Sequence, residues 1–143
     1  MARPFTETER QQFLADPHIC VLSVAAGDGR PPAAIPIWYH YSPGGVITIN
    51  TGVANRTATL VRAAGVVTVT VQREALPYQY VVVEGTVVEA TTPAPLEARE
   101  KIAVRYLGEE AGRQFARSGD DADAVLFTIR PDRWRSVDFT GDL

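Results

Sequence analysis

Residues 19–51 read ICVLSVAAGDGRPPAAIPIWYHYSPGGVITINT and contain three apolar, β-branched runs with no helical segment between them. These runs predict strands over 19–25, 33–41 and 46–51, each bounded by glycine- and proline-rich turns. The pair Asp28-Gly29 between two apolar runs is a strong signal for a hairpin. Three consecutive strands joined by turns predict an antiparallel sheet and disfavour a parallel sheet with crossover helices.

Four helices and four further strands are predicted around this segment. A Thr-x-x-Glu capping box starts the first helix at Thr6, and Pro17 ends it near Asp16. The other predicted elements are a helix that starts after Asn55 and stops at Gly65, strands 66–72 and 80–90, helices 96–107 and 109–117, and strands 124–129 and 133–139. Because hairpins dominate, we expect a mainly β fold whose antiparallel sheet closes on itself.

Two residues predict interruptions of the sheet. Pro36 lies inside the second strand, where it cannot donate a hydrogen bond to a neighbour, so that strand is expected at a sheet edge or at a bulge. Gly85 lies inside the fifth strand and predicts a β-bulge there.

Composition limits the class of protein. The 143 residues are 45% hydrophobic and 22% charged, which suits one globular domain spanning residues 1–143. The formal net charge of −3 disfavours a general nucleic-acid binder. Cys20 is the only cysteine, so an intrachain disulfide is impossible. Residues 1–7 lack a signal-peptide pattern and no run of about 18 apolar residues occurs, so we expect a cytoplasmic protein that does not enter membranes.

The usual catalytic patterns are absent from the sequence. It contains no Gly-x-Gly-x-x-Gly, no Walker loop and no Gly-x-Ser-x-Gly. His18 and His40 are the only histidines, which leaves few side chains for a zinc site or a Ser-His-Asp triad. No catalytic residue and no metal ligand is therefore assigned. If the protein is an enzyme, a bound cofactor carries its chemistry.

The stretch Asn50-Thr51-Gly52-Val53-Ala54-Asn55-Arg56-Thr57 holds the strongest functional signal. A strand leads through a glycine turn into a helix with Asn55 at its N-cap. Backbone N–H groups and the helix dipole attract anions at such a point. Arg56 and the hydroxyls of Thr51 and Thr57 can complete a phosphate cradle. The structural alternative is that Asn55 only caps the helix and Arg56 is solvated.

Aromatic residues are concentrated in Pro36-Ile37-Trp38-Tyr39-His40-Tyr41. A proline-bent strand with such side chains can form the wall of a pocket for a planar ligand. Alternation along a strand places Trp38 and His40 on one side and Tyr39 and Tyr41 on the other. One pair is therefore expected in the core and the other at a cleft, although core packing alone can explain each ring.

Tyr78 and Tyr80 form a second aromatic pair, on one face of the strand that begins there. They fit either a ligand site or an ordinary barrel or dimer interface.

Taken in order, several short motifs resemble the pyridoxamine-phosphate-oxidase-like superfamily, also called the flavin/deazaflavin oxidoreductase superfamily. The matching segments are His18 to Ser23 with Asp28-Gly29-Arg30-Pro31 (first hairpin), Pro36-Ile37-Trp38-Tyr39 (second strand), residues 51–60 (phosphate-binding turn and helix), Glu84-Gly85-Thr86 (fifth strand) and residues 130–139 (last hairpin). Each motif is weak alone, but their order and spacing cover nearly the whole chain. Arg56 stands where many members carry a lysine, which keeps the positive charge.

The resemblance implies a six- to seven-stranded antiparallel split β-barrel, like the FMN-binding proteins, that forms homodimers with two cofactor sites at the interface. It places the cofactor phosphate near the start of the helix and the ring against the second and third strands, with the two tyrosines reaching in from the other subunit. The residues so implied are Pro36, Ile37, Trp38, Asn50, Thr51, Asn55, Arg56, Thr57, Tyr78 and Tyr80.

The short, arginine-rich chain most resembles the branch that uses the deazaflavin coenzyme F-420. The reaction implied is hydride transfer from the reduced cofactor to an unsaturated small-molecule substrate. FMN is the alternative cofactor in the same fold, and a non-catalytic carrier of a cofactor or of haem is the alternative of a different class. The cationic side chains that can meet the anionic tail of coenzyme F-420 are Arg3, Arg10, Arg30, Arg56 and Arg62.

Overall fold

The computed structural model describes residues 1–119 and 123–142. Within them, seven strands form one antiparallel sheet that four helices flank. The elements are α1 (Glu7–Ala15), β1 (Cys20–Val24), β2 (Ala33–Ile37), β3 (His40–Tyr41), β4 (Ile47–Gly52), α2 (Arg56–Ala64), β5 (Val66–Arg73), β6 (Gln79–Thr91), α3 (Leu96–Leu107), α4 (Glu109–Ser118) and β7 (Ala124–Asp138). The predicted fold class, mainly β with an antiparallel split barrel, is confirmed.

The strands lie in the order β2-β1-β5-β6-β7-β4-β3. Strands β2 and β3 follow each other in the chain, yet they occupy the two opposite ends of the sheet. The sheet therefore curls into a half-barrel that is split between its edge strands, and the expectation of a sheet closed by hydrogen bonds was wrong.

The second predicted strand, 33–41, is divided into β2 and β3. The backbone N–H of Tyr39 donates to the Tyr106 hydroxyl at 3.1 Å and not to a neighbouring strand, so the ladder stops between Ile37 and His40. Pro36 does lie on an edge strand, opposite Val21, as its missing N–H requires.

The two predicted strands 124–129 and 133–139 are one continuous strand, β7. The register between β6 and β7 shifts at Gly85, which lies opposite Pro131, so the bulge predicted at this glycine is confirmed. Strand β7 pairs with β4 only as far as Ile129. Beyond that point this side of β7 has no β4 partner, and among the described residues it meets only an isolated bridge from Arg3 to Asp138. A proline is therefore tolerated at position 131.

Alternation along the strands produces two faces. The inner face carries the main core, where Cys20 and Leu22 of β1 pack with Leu14 of α1 and Val61 of α2. On the outer face, helices α3 and α4 cover the region of β4 and β7, with Leu126 in a smaller cluster. Among the helices of the described residues, none has both the length and the apolar character needed to cross a bilayer.

The outer surface of β2, β1, β5 and β6 is called the open face here. Side chains on neighbouring strands line up across it in rows, because the strand pairing places outward residues opposite one another. One row reads Pro36, Val21, Thr70, Val82 and Arg135. Val21 is 37% exposed, so apolar surface on this face meets solvent.

Candidate cofactor site

The turn between β4 and α2 differs from its prediction in one hydrogen bond. Asn55 occupies the N-cap position of α2, as expected, but its side chain makes no capping bond. Its Nδ2 atom donates instead to Oγ1 of Thr51 at 3.0 Å. Gly52 makes this possible, because a Cβ at that position would lie 3.2 Å from the Asn55 amide group. The predicted side-chain cap was therefore wrong, although the predicted helix start was correct.

The turn residues Thr51, Asn55, Arg56 and Thr57 are called the anion turn below. No side chain caps the N-terminus of α2, so its first-turn N–H groups remain available to an external acceptor. Arg56, at the first position of the helix, is exposed, and within the described residues its guanidinium has no hydrogen-bond or ion-pair partner. The positive end of the helix and this free cation make the turn electropositive.

A cavity of about 230 Å³ lies between β4 and the α3–α4 pair. It contains Trp38 and Asn50, two of the predicted cofactor-binding residues. The indole of Trp38 stacks on the ring of Tyr106, with centroids 4.8 Å apart, and lies 5.5 Å from the ring of Phe115. The lining, called the Trp38 cavity here, is Trp38, Asn50, Arg99, Ile102, Ala103, Phe115, Ala116, Ser118, Gly119 and Ala124.

Most of the Trp38 cavity comes from α3 and α4, which the sequence did not connect with a site. Arg99 of α3 is buried, with 7% of its surface exposed, and it donates to the carbonyl oxygens of Ala94 and Ala116. The sequence does contain a signal that Arg99 faces the barrel, because its spacing places it on the same helical stripe as Ile102 and Tyr106. A buried arginine in an apolar helical stripe can therefore indicate a cavity lining, as an aromatic residue can.

The two histidines lie away from the anion turn. His18 stacks on Phe13 with ring centroids 4.4 Å apart, its Nε2 atom is buried, and burial lowers the pKa of the imidazole. His40 lines a separate groove of about 510 Å³ with Thr48 and Lys101. Burial, with the positive charges of Arg105 and Lys101, lowers its pKa. Of the two predicted haem ligands, His40 lines a groove and His18 packs against Phe13.

A family model described as pyridoxamine 5'-phosphate oxidase matches residues 6–138. The chain belongs to this family. No curated protein sequence matches it.

Solved structures repeat the fold of this pyridoxamine 5'-phosphate oxidase family member. Protein Rv2991 of Mycobacterium tuberculosis has a TM-score of 0.75 at 22% identity, covering 94% of this chain and 86% of that one. An F-420 reductase has a TM-score of 0.65 at 22% identity (87% and 94% covered), and a FAD-binding protein of Mesorhizobium loti 0.67 at 20% (96% of both). At these identities the likeness shows the fold alone.

The remaining predicted residues of the family member lie elsewhere on the barrel. Pro36 is exposed on the open face, and Ile37 packs against the inner core. Tyr78 is 43% exposed, and the half-buried ring of Tyr80 lies 6.4 Å from that of Phe139. Strands β2 and β6 are three strand spacings apart, roughly 14 Å. One copy of the chain therefore does not bring these tyrosines to Pro36.

The arginines predicted to meet an anionic tail divide into two groups. Arg3 bonds to the Glu9 carboxylate, Arg10 lies over the Trp134 ring, and Arg62 donates to the Thr92 hydroxyl. The side chains of Arg30 and Arg56 have no such partner within residues 1–119 and 123–142, and both are exposed.

Proposed function

We propose that the protein is an oxidoreductase that binds the deazaflavin coenzyme F-420 between two copies of the chain, in the cytoplasm. When bound, this cofactor supplies a hydride to an unsaturated small-molecule substrate stacked on its ring. The chain itself holds the phosphate, orients the ring and keeps water away from it. Its fold is shared by an F-420 reductase and by a FAD-binding protein.

The anion turn carries the proposal. A phosphate needs hydrogen-bond donors and positive charge, and this turn offers the uncapped amides of α2, the Arg56 guanidinium and the Thr57 hydroxyl. Asn50 and Thr51 are consecutive on β4, so their side chains lie on opposite faces, Asn50 beside Leu126 and Thr51 beside Val125. A molecule that uses both the turn and the Trp38 cavity must therefore pass round the end of β4 at Gly52. The donors of the turn fit a phosphate, and the aromatic wall of the cavity fits one edge of a planar ring.

The size of the Trp38 cavity supports completion of the site by a second copy. At about 230 Å³ it is smaller than the roughly 300–1,000 Å³ of ordinary ligand pockets, so it holds one edge of a tricyclic ring. Tyr80 lies opposite Val137, at the end of β7 that is remote from Ala124 in the cavity lining, so neither it nor Tyr78 covers the other edge within one chain. In the proposed homodimer they come from the partner.

The open face supports a homodimer as well. Its central row joins the apolar side chains of Val21 and Val82 through Thr70, across adjacent strands. Apolar side chains with few charges are typical of the centre of an interface, and Arg135 at the end of the row fits a polar rim.

We expect Val21→Glu to convert a dimer to a monomer in sedimentation velocity. The control is Leu107→Glu, at an exposed residue of α3, which should leave the dimer intact. If the wild-type protein sediments as a monomer at all concentrations, the homodimer proposal is rejected.

Titration with coenzyme F-420 and with FMN, followed by ring fluorescence, tests the function. We expect the deazaflavin to bind more tightly and the wild-type protein to reduce an unsaturated acceptor only when reduced deazaflavin is supplied. Purification as a yellow protein with bound FMN would favour the alternative cofactor. A Soret band on haem addition that His40→Ala abolishes would favour the haem carrier, and binding of none of the three would reject the proposal.

A further inference from the structure

The corner where the chain passes from β2 to β3 is held by one side chain of α3, that of Tyr106. Its hydroxyl donates to the carbonyl oxygen of His18 at 2.7 Å and lies 3.2 Å from that of Tyr39. The same oxygen accepts the backbone N–H of Tyr39 at 3.1 Å. One phenol therefore replaces the strand partner that this backbone segment lacks.

The ring of Tyr106 fixes the other residue of the corner. It stacks on the indole of Trp38 with an interplanar angle of 14°. Trp38 is half-buried and forms one wall of the Trp38 cavity. The hydroxyl thus holds the backbone of the corner while the ring of the same residue sets the plane of the indole.

Arg105 anchors this end of α3 independently of the Tyr106 hydroxyl. Its guanidinium donates to the carbonyl oxygens of Ala15 at 2.7 Å and Asp16 at 3.1 Å, the last residue and the C-cap of α1. It also lies over the Tyr39 ring, 4.8 Å from the centroid. The hydroxyl of the buried Tyr39 also donates to the carbonyl oxygen of Leu14 at 2.6 Å. Loss of the Tyr106 hydroxyl alone therefore leaves the helix and the Tyr39 ring attached and removes only the backbone contacts beside Trp38.

We propose that Tyr106 is a positioning residue that sets the orientation of Trp38 before the cofactor ring arrives. The proposal rests on the proposed function, because Trp38 is taken as a wall of the cofactor site. Tyr106 touches the corner and not the anion turn, so its hydroxyl acts through the indole and not through the phosphate.

Two substitutions in a background with a single tryptophan test this role. Trp134→Phe leaves Trp38 as the only tryptophan of the chain. Tyr106→Phe then removes the hydroxyl and keeps the stacking ring. Tyr41→Phe is the matched control, because the Tyr41 hydroxyl also accepts a backbone N–H, that of Gly44 at 3.2 Å, away from Trp38.

Two readouts separate positioning from general stability. Time-resolved fluorescence anisotropy reports the local motion of Trp38 without any ligand, and ring fluorescence reports binding of coenzyme F-420 and of FMN. We expect Tyr106→Phe to increase the fast motion of Trp38 and to weaken binding roughly fivefold, the effect of one neutral hydrogen bond. We expect Tyr41→Phe to leave both readouts unchanged at similar cost in urea unfolding.

Unchanged Trp38 motion in Tyr106→Phe, in a folded protein, would overturn the positioning role whatever the ligand does. Increased motion with unchanged affinity would overturn its relevance to the cofactor. If neither cofactor binds the wild-type protein, the proposed function fails and with it the link from Tyr106 to a cofactor, while the anisotropy still decides whether Tyr106 holds the indole.

Discussion

The side-chain amide of Asn55 donates to the hydroxyl of Thr51, so the residue placed to cap α2 closes the preceding turn instead. The bond spans four residues and draws the turn together around Gly52. The amides at the start of α2 are left to solvent or to a ligand. Stability of the helix and affinity for an anion therefore compete at this position.

Asn55→Asp separates these two quantities. A carboxylate at the N-cap accepts bonds from the first-turn amides and interacts favourably with the helix dipole, so we expect stability to rise by about 0.3–1 kcal/mol in urea unfolding. The same charge repels a phosphate, so coenzyme F-420 should bind more weakly. Tighter cofactor binding by this variant would contradict the assignment of the anion turn.

Arg56→Ala tests the phosphate contact directly. Removing a charge-assisted bond should weaken cofactor binding by about 1.5–3 kcal/mol, roughly 10- to 100-fold, in the fluorescence titration. Arg130→Ala is the control, because Arg130 is an exposed arginine that pairs with Asp132 on β7 and belongs to no part of the proposed site. Equal affinity of the wild type and Arg56→Ala would exclude Arg56 as the anchor.

Gly112→Ala probes the packing that shapes the Trp38 cavity. A Cβ at Gly112 would lie 2.6 Å from Cα of Val104, and backbone cannot move aside as a flexible side chain does. Helix α4 must then shift away from α3, taking Phe115 with it. We expect a loss of about 1–3 kcal/mol in urea unfolding and weaker cofactor binding. Gly119→Ala, where a Cβ meets nothing within 4 Å among the residues that the structure describes, should be nearly neutral in urea unfolding.

The capping box of α1 gives the stability a defined dependence on pH. The Arg3 guanidinium, with the backbone N–H of Thr6, lowers the pKa of Glu9 to about 2 from its ordinary 4.5. A lowered pKa in the folded state adds stability above pH 4.5 and loses it as the pH falls towards 2. Glu9→Gln keeps a capping residue without the charge.

The measurement is urea unfolding of both proteins between pH 2 and pH 7. The wild type should be more stable than Glu9→Gln at neutral pH, and the difference should disappear near pH 2. A difference that does not change with pH would show that the carboxylate adds nothing beyond the cap.

Local signals made most of the fold predictable. The bounds of α3 match their prediction because its apolar spacing and flanking Pro95 and Gly108 act within a few residues. The division at Trp38 and Tyr39 was not predictable, because it depends on the Tyr106 hydroxyl, 67 residues away. Likewise, β7 can continue past Pro131 because its pairing with β4 ends at Ile129, and no local pattern shows where that pairing ends.

The candidate site was less predictable than the fold. Residues 50–57 run from the end of β4 through a short turn to the start of α2, so their grouping followed from sequence order alone. The contribution of Arg99 and Phe115 depends on how the α3–α4 pair packs over β4, which no local pattern specifies. The role of Tyr78 and Tyr80 remains a prediction, since it depends on the arrangement of two chains.

The Cys20 thiol can report transient opening of the barrel. Cys20 is the only cysteine and is fully buried, and burial raises the pKa of its thiol to about 12. Since the thiolate is the reactive form, a thiol reagent at neutral pH reacts with this chain only when β1 leaves the interior. The rate of modification therefore measures how often the barrel opens. Any ligand that stabilises the closed barrel will slow the modification of Cys20, and the assay needs no engineered label.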